Sequence, residues 1–391
     1  MSGAGDNLTR AERAQRGAAI DAPTLLLALA IVLLGLVMVT SASITIAGRD
    51  GNPFAFLERQ LLLVLVGAVA AAVTFAIPGA RLQQLALPLL LVALVALVAV
   101  LVPGLGHVVN GSRRWLRLAG INFQVSEGAR VLALIYVASY AVRYEKELRG
   151  GFPGLFKPLA LLGLIALLLL LEPDFGAASV LFITGFGVLF LAGARWRWML
   201  TMLLAAGGAM TLLVLFSSYR LRRFTTFMDP WADPYNSGFQ LTQSLIAIGR
   251  GGLFGVGLGA SVQKLFYLPE AHTDFLFAVL AEELGLAGVA LTLALFLALA
   301  WRAFVIARRA NDAGLKFQSY LASGFGLWLG AQAFINIGVN MGVLPTKGLT
   351  LPFMSYGRSS LIVTLAWLGI LLRVHHETVH GSRRHLRPER A

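Results

Sequence analysis

One polar octet, Leu268-Pro269-Glu270-Ala271-His272-Thr273-Asp274-Phe275, interrupts a chain that is otherwise overwhelmingly apolar. It lies where a long loop gives way to an apolar run, and it brings the carboxylate of Asp274 to that boundary. An ionisable group at the edge of lipid is costly to keep, so it is read first as a functional group. A plainer reading stays open, in which Glu270, His272 and Thr273 only cap the following helix.

Other clusters carry polar chemistry. Gly111-Ser112-Arg113-Arg114-Trp115-Leu116, with Phe123-Gln124-Val125-Ser126-Glu127 and Arg130 behind it, offers guanidinium forks for phosphate and an indole that could stack on a sugar. The same residues would equally serve as an interfacial belt against lipid headgroups. Glu172-Pro173-Asp174-Phe175-Gly176 reads chiefly as a turn whose acids cap the next helix. Tyr219-Arg220-Leu221-Arg222-Arg223 could hold a diphosphate at the membrane surface. Glu282 and Glu283 follow Asp274 on the same apolar run. The segment 345–360, with Lys347, Ser355 and Ser359, has the prolines, glycines and hydroxyls of a broken helix lining a polar cavity. The glycine-rich stretch 249–259 lacks the Lys-Ser/Thr pair and the preceding strand of a nucleotide loop.

The elements that must position these groups follow from composition. Of 391 residues, 58% are hydrophobic and only 13% charged, and the mean hydropathy is +0.77. Lipid must be the solvent for most of such a chain. The absence of cysteine excludes disulfide frameworks, thiolate metal sites and cysteine nucleophiles. The net charge of +13 sits in short clusters between apolar spans, so it reads as topology and membrane lipid contact, with no nucleic acid partner. Candidate spans fall near 24–44, 60–77, 84–103, 127–143, 158–172, 175–193, 198–217, 274–307, 317–342 and 359–374. The expected fold class is therefore all-α, a polytopic integral membrane protein of about ten transmembrane helices.

Arg10, Arg13 and Arg16 precede the first apolar run, which has no cleavage pattern behind it, and they hold the N-terminus in the cytoplasm. The expected organisation is a cytoplasmic tail over 1–22, a membrane domain over 23–375 and a cytoplasmic tail over 376–391. One large extracytoplasmic loop, about 218–272, is rich in aromatics and glycines and has an amphipathic stretch from Phe239 to Ile248. It reads as ordered and partly embedded. The cations that oppose the topology signal concentrate at 113–130 and 218–272, on one side, where an anionic lipid-linked substrate would explain them.

Taken in order, the motifs resemble the SEDS family (shape, elongation, division and sporulation). They are Gly-Ser-x-Arg-Trp, Phe-Gln-x-Ser-Glu, Pro-Asp-Phe-Gly, Asn-Ser-Gly-Phe-Gln at 236–240, the octet, Ala-Glu-Glu-Leu-Gly at 281–285 and Lys-Gly-Leu-Thr-Leu-Pro-Phe-Met-Ser-Tyr-Gly from Lys347. The resemblance spans roughly residues 25–375. Residues 38–43 and the polar N-terminal tail favour the division branch over the elongation branch.

The resemblance implies a peptidoglycan glycosyltransferase of the bacterial cytoplasmic membrane, at the division septum, with its site on the extracytoplasmic side. Its substrate would be lipid II, an undecaprenyl-diphosphate-linked disaccharide peptide. The acceptor 4-hydroxyl attacks the donor anomeric carbon, undecaprenyl diphosphate leaves and configuration inverts, so one base suffices. Asp274 matches the family's essential aspartate and is the expected base. Arg113, Arg114, Arg130, Arg220, Arg223 or Lys264 could stabilise the leaving diphosphate. Trp115, Glu127, His272, Thr273, Lys347, Ser355 and Ser359 complete the expected substrate-binding set. A class B penicillin-binding protein and other divisome proteins are the expected partners. A divalent cation, Mg or Mn, could bridge Asp274 to diphosphate, although no ligand set for one stands out. A lipid II flippase and an elongation-type polymerase are the alternatives.

Three positions depart from the family pattern. Val125 replaces a usual proline. Arg130 replaces a usual lysine, keeping a charge for a salt bridge to Asp274. Arg358 replaces a usual glycine and is expected to disturb its turn or add a cation to the cavity.

Overall fold

The computed structural model describes residues 20–49, 51–109, 112–118, 121–216, 226–346 and 348–385. A helix stands at each of the ten expected segments. They are α1 (Ala22–Arg49), α2 (Ala55–Ala76), α4 (Ala86–Leu101), α5 (Val125–Arg143), α7 (Phe152–Leu171), α8 (Phe175–Leu191), α9 (Trp196–Leu215), α11 (Leu276–Asp312), α12 (Lys316–Asn340) and α13 (Arg358–His385). Short helices α3 (Gly79–Gln84) and α6 (Glu145–Gly150) turn the chain between spans, and α10 (Phe239–Gly251) lies in the long loop. Among the described residues, α1, α2, α5, α7, α11 and α13 are long and apolar enough to cross a membrane. The protein is a multi-pass membrane protein.

Burial sorts these helices. On α2 only Gln60 and Gly67 are buried, so its surface faces outward along most of its length. Gly67 lets it approach Leu365 of α13, and Gly369 of α13 has no room for a Cβ beside the Ala71 carbonyl. Thr74 seals the pair by donating to the Ala366 carbonyl at 2.7 Å. Helix α12 is the opposite case, buried along nearly its whole length and carrying Gln332, Asn336 and Asn340 inward. A helix with amides on a buried face must find partners for them, and those partners define the site.

One element was not foreseen. Residues 106–124 form a three-stranded antiparallel sheet, β1 (Gly106–Val109), β2 (Ser112–Leu118) and β3 (Ile121–Gln124), in the order β1-β2-β3. It is the exception to the all-α expectation, and it carries Arg113, Arg114 and Trp115 on its central strand. Trp115 opposes His107 and Arg113 opposes Val108, so the register shifts at Arg114, which is the extra residue of a bulge on β2.

The amphipathic stretch of the long loop is helical, as its periodicity implies. Helix α11 breaks once, at Gly285, whose φ is 64°. The loop after α10 repairs the break: Val256 and Gly257 donate to the Glu282 and Glu283 carbonyls, and Leu286 and Ala287 donate to Gly252 and Leu253. Irregular backbone at this depth is tolerated because it is satisfied by protein. The last helix runs on to His385, beyond the expected boundary at 375. At the other end of the bundle Arg302 ties α11 to Asp21, just ahead of α1, at 2.6 Å.

Candidate active site

The site is assembled on the amide row of α12. Asn336 and Asn340 both donate to the Asp274 backbone carbonyl, at 2.9 and 3.0 Å. Asn336 also donates to the Leu349 carbonyl at 2.5 Å, and Gln332 to the Thr350 carbonyl at 3.0 Å. Two irregular segments, one before α11 and one before α13, are thus fixed to a single helix face. The three amides are four residues apart, a spacing that aligns them on one side of a helix. That spacing is plain in the sequence, yet the sequence reading passed over it.

Asp274 ends the octet. Glu270 takes the left-handed conformation, φ 56°, and its carbonyl accepts from the Thr273 and Phe275 amides, both at 3.1 Å. The Thr273 hydroxyl is held by the Glu270 carboxylate at 2.7 Å. The octet leads into α11, but Phe275 stands at the N-cap and no side chain caps the helix, so the plainer reading does not hold and the turn serves to present Asp274. Burial, then the neighbouring Glu270 carboxylate, raise Asp274 to a pKa of about 7, with Asp174 adding to the rise and Arg114 opposing it. Gly348 leaves space for the group: a Cβ there would stand 3.0 Å from Asp274 Oδ2. His272 packs between Phe56 of α2 and Tyr356, with ring centroids 4.8 and 5.7 Å away. Burial lowers its pKa, so the imidazole is neutral at pH 7.

Opposite Asp274 stands the turn between α7 and α8. Asp174 caps α8 by accepting from the Ala177 amide at 3.0 Å, and it accepts from Ser126 at 3.0 Å and Gln124 at 3.3 Å. Arg114 reaches across from β2 to the Glu172 and Pro173 carbonyls at 3.0 and 2.6 Å. Glu172 itself is fully buried, and neither carboxyl oxygen has a partner. Burial and Asp174 raise its pKa to about 8, against the pull of Arg114. Ser359 at the start of α13 accepts from the Gln124 amide at 2.7 Å, and Ser355 accepts from the Leu351 amide at 3.0 Å. Arg113 donates to the Leu101 carbonyl at 2.9 Å, and Trp115 is half-buried on β2.

Some expected residues have partners other than those expected. Arg130 is buried and bonded to Glu127, to Gln332 at 3.1 Å and to the Ser126 carbonyl at 3.3 Å; its salt bridge is to Glu127 and not to Asp274. The two residues sit one helical turn apart, so the nearer carboxylate takes the charge. Lys264 pairs with Glu283 at 2.7 Å and Ser41 at 2.9 Å, all three buried. Glu282 accepts from Ser261 at 2.5 Å, from the Val262 amide at 3.1 Å and from Arg250 at 3.4 Å. Glu282 and Glu283 thus staple the loop to the broken helix. Arg220, Arg223 and Lys347 lie outside the described residues. Arg358 is exposed as the first residue of α13, and it is not among the positive-φ residues, so it does not strain the turn.

The arrangement offers a carboxyl poised near neutrality, a neutral imidazole, hydroxyls and one cation, Arg114, that acts on two carboxyls at once. That combination suits proton abstraction beside developing negative charge. The sequence model of the FtsW, RodA and SpoVE cell cycle proteins matches residues 22–380. The probable peptidoglycan glycosyltransferase FtsW of Thioalkalivibrio sulfidiphilus is 55% identical over 93% of this chain and 91% of its own. That of Coxiella burnetii is 51% identical over 92% and 96%. Among solved structures, a chain of a peptidoglycan synthase complex that coordinates polymerization and crosslinking matches with a TM-score of 0.73 at 36% identity. The rod shape determining protein RodA of Thermus thermophilus matches at 0.66 and 34%; both cover 92% of this chain and 98% of theirs.

Proposed function

The chain belongs to the cell cycle protein family of FtsW, RodA and SpoVE, and on that premise we propose that it polymerises lipid II into septal glycan strands. It is a peptidoglycan glycosyltransferase of cell division, working at the extracytoplasmic face of the cytoplasmic membrane. The observation that carries this reading is Asp274, whose backbone carbonyl is fixed by Asn336 and Asn340 and whose carboxyl is raised to about 7. A base with that pKa takes a proton readily at neutral pH and is not tied to a permanent cation.

In the reaction, Asp274 takes the proton of the acceptor 4-hydroxyl as its oxygen bonds to the donor anomeric carbon. The bond from that carbon to the diphosphate oxygen breaks with inversion, and undecaprenyl diphosphate carries away the electron pair. Arg114 is the described cation whose field reaches Asp274, and it stabilises the charge that develops on the diphosphate. The clamp on the Asp274 carbonyl holds the base still, so that orientation is built in before substrate arrives. His272, kept neutral, serves as a hydrogen-bonding wall beside the sugar. A class B penicillin-binding protein is the partner that crosslinks the strand. As for Mg or Mn, no three His, Asp or Glu side chains among the described residues converge to hold a metal ion, and no step is routed through one.

The test is direct. The purified protein and its class B partner are incubated with lipid II, and glycan strands are resolved by gel, with Asp274→Ala alongside. Strands from the parent and none from the inserted, folded variant are expected. Strands from both would remove Asp274 from the mechanism.

A further inference from the structure

An open cavity of about 510 Å³ lies between α1, α2 and the loop after α10, apart from the groups that act on the sugar. Leu36, Val37 and Ile44 of α1, Leu57 of α2 and Leu258 of the loop line it, with Lys264 at one end. The Lys264 charge is already met by Glu283, and the Thr40 hydroxyl in the wall is spent on the Leu36 carbonyl at 2.7 Å. What remains on offer is apolar surface, so the occupant that fits is an uncharged hydrocarbon chain.

The cavity adjoins the site. Leu57 follows Phe56, whose ring packs on His272, two residues from Asp274. Residues 264–274 connect Lys264 of the cavity wall to Asp274 along the chain. At the end of α1, the exposed Arg49 guanidinium lies 3.7 Å over the ring of Phe266, two residues on from Lys264, and is a cation suited to phosphate. At about 30 Å³ per heavy atom, the volume of a water in the liquid, the cavity holds roughly 17 atoms, or about three isoprene units.

We propose that this groove holds the first isoprene units of the lipid-linked substrate, with the diphosphate emerging between Arg49 and Asp274. The inference rests on the polymerase reading and adds where the lipid lies.

The test uses the full chain with its class B partner in phosphatidylethanolamine nanodiscs, and donors carrying one, two, four or eleven isoprene units. In the parent, KM should fall about tenfold between one and four units and then level off, with kcat steady. Val37→Trp and Leu57→Trp should abolish that fall without changing kcat; Val37 is 47% exposed, so its variant folds even if the other does not. A diazirine-bearing geranylgeranyl diphosphate should label peptides spanning 36–57 or 258–264, with undecaprenyl diphosphate competing and phosphatidylglycerol not. Labelling elsewhere, displacement by phosphatidylglycerol, or a chain-length dependence that survives both tryptophans would overturn the proposal. A parent that makes no strands from any donor would instead overturn the polymerase reading.

Discussion

Acidification should switch the enzyme off well above the range in which an ordinary aspartate titrates. A free aspartate with a pKa of about 3.9 is more than ~99% ionised at pH 6, and a rate depending on it would be flat there. Asp274, raised to about 7 by burial first and Glu270 second, is about half ionised at pH 7 and about one-tenth ionised at pH 6. If the ionised form is the base, kcat/KM falls about fivefold over that unit and about tenfold over each unit below it. Two substitutions separate this cause from general acid damage. Glu270→Gln removes a raising charge and should move the acid limb down; Arg114→Gln removes the opposing cation and should move it up. The Arg114 variant should also be slower at its plateau, because the leaving diphosphate loses a counter-charge. The assay is the initial rate of strand formation at subsaturating lipid II from pH 5.5 to 8.5, with tryptophan fluorescence confirming a folded protein throughout. A profile flat across that range, or limbs that move in the same direction in both variants, would refute the reasoning.

Three further outcomes are expected. Gly348→Ala places a methyl 3.0 Å from Asp274 Oδ2 and should lower kcat about tenfold or more, with thermal stability little changed; unaltered kcat would show that the base has room to move aside. Lys264→Met strands the Glu283 carboxylate in a buried position and should cost about 3–5 kcal/mol in detergent unfolding, whereas Lys264→Met with Glu283→Leu should recover most of it. Additive losses in the double variant would mean that the pair does not interact. Glu172, with a folded pKa of about 8, binds its proton more tightly folded than unfolded, so its contribution is full below about pH 4.5 and lost as pH rises through 8. Glu172→Gln should therefore melt higher than the parent at pH 8 and alike at pH 4.5, and a gap that is the same at both pH values would contradict the assignment.

The helices were legible because apolar runs of about 20 residues have few alternatives in lipid. A helix stands at each expected segment, and the amphipathic segment at 239–251 showed its period openly. The sheet at 106–124 was not legible: its outer strands are four residues long, its central strand carries three arginines, and it is paired by backbone bonds that leave little trace in composition. The Asp274 octet was legible because a carboxylate at that boundary has no cheap explanation. Its support was not. Gln332, Asn336 and Asn340 lie in a span whose hydropathy is diluted by those very amides, and nothing local says that two of them close on one distant carbonyl. Charge alone also did not show the partners of Arg130 and Lys264, since a cation's partner is set by packing. Each has a buried carboxylate of its own.

The acids around the site divide by what meets them: Glu172 is buried with neither carboxyl oxygen partnered, and others are held fast. Glu283 has Lys264 and Ser41, Glu282 has Ser261 and two backbone amides, and Asp174 has Ser126 and the first turn of α8. Each is paired or capped, and each holds two segments together. Asp274, which is half-buried, differs in that its backbone, and not its carboxyl, receives the clamp. The main chain is fixed by two amides while the side chain is left with neighbours that only bias its charge. A carboxyl treated this way gains nothing for the fold from being ionised, and an ionisable group at the membrane edge that does not serve the fold is costly to retain. Fixing the backbone while leaving the proton free is what a base needs, since a salt bridge strong enough to hold the side chain would also lower its affinity for the proton it must take. The division of labour between α12 and the octet therefore follows from the chemistry, and it explains why the polar row sits on the helix beside the base and not on the base's own helix.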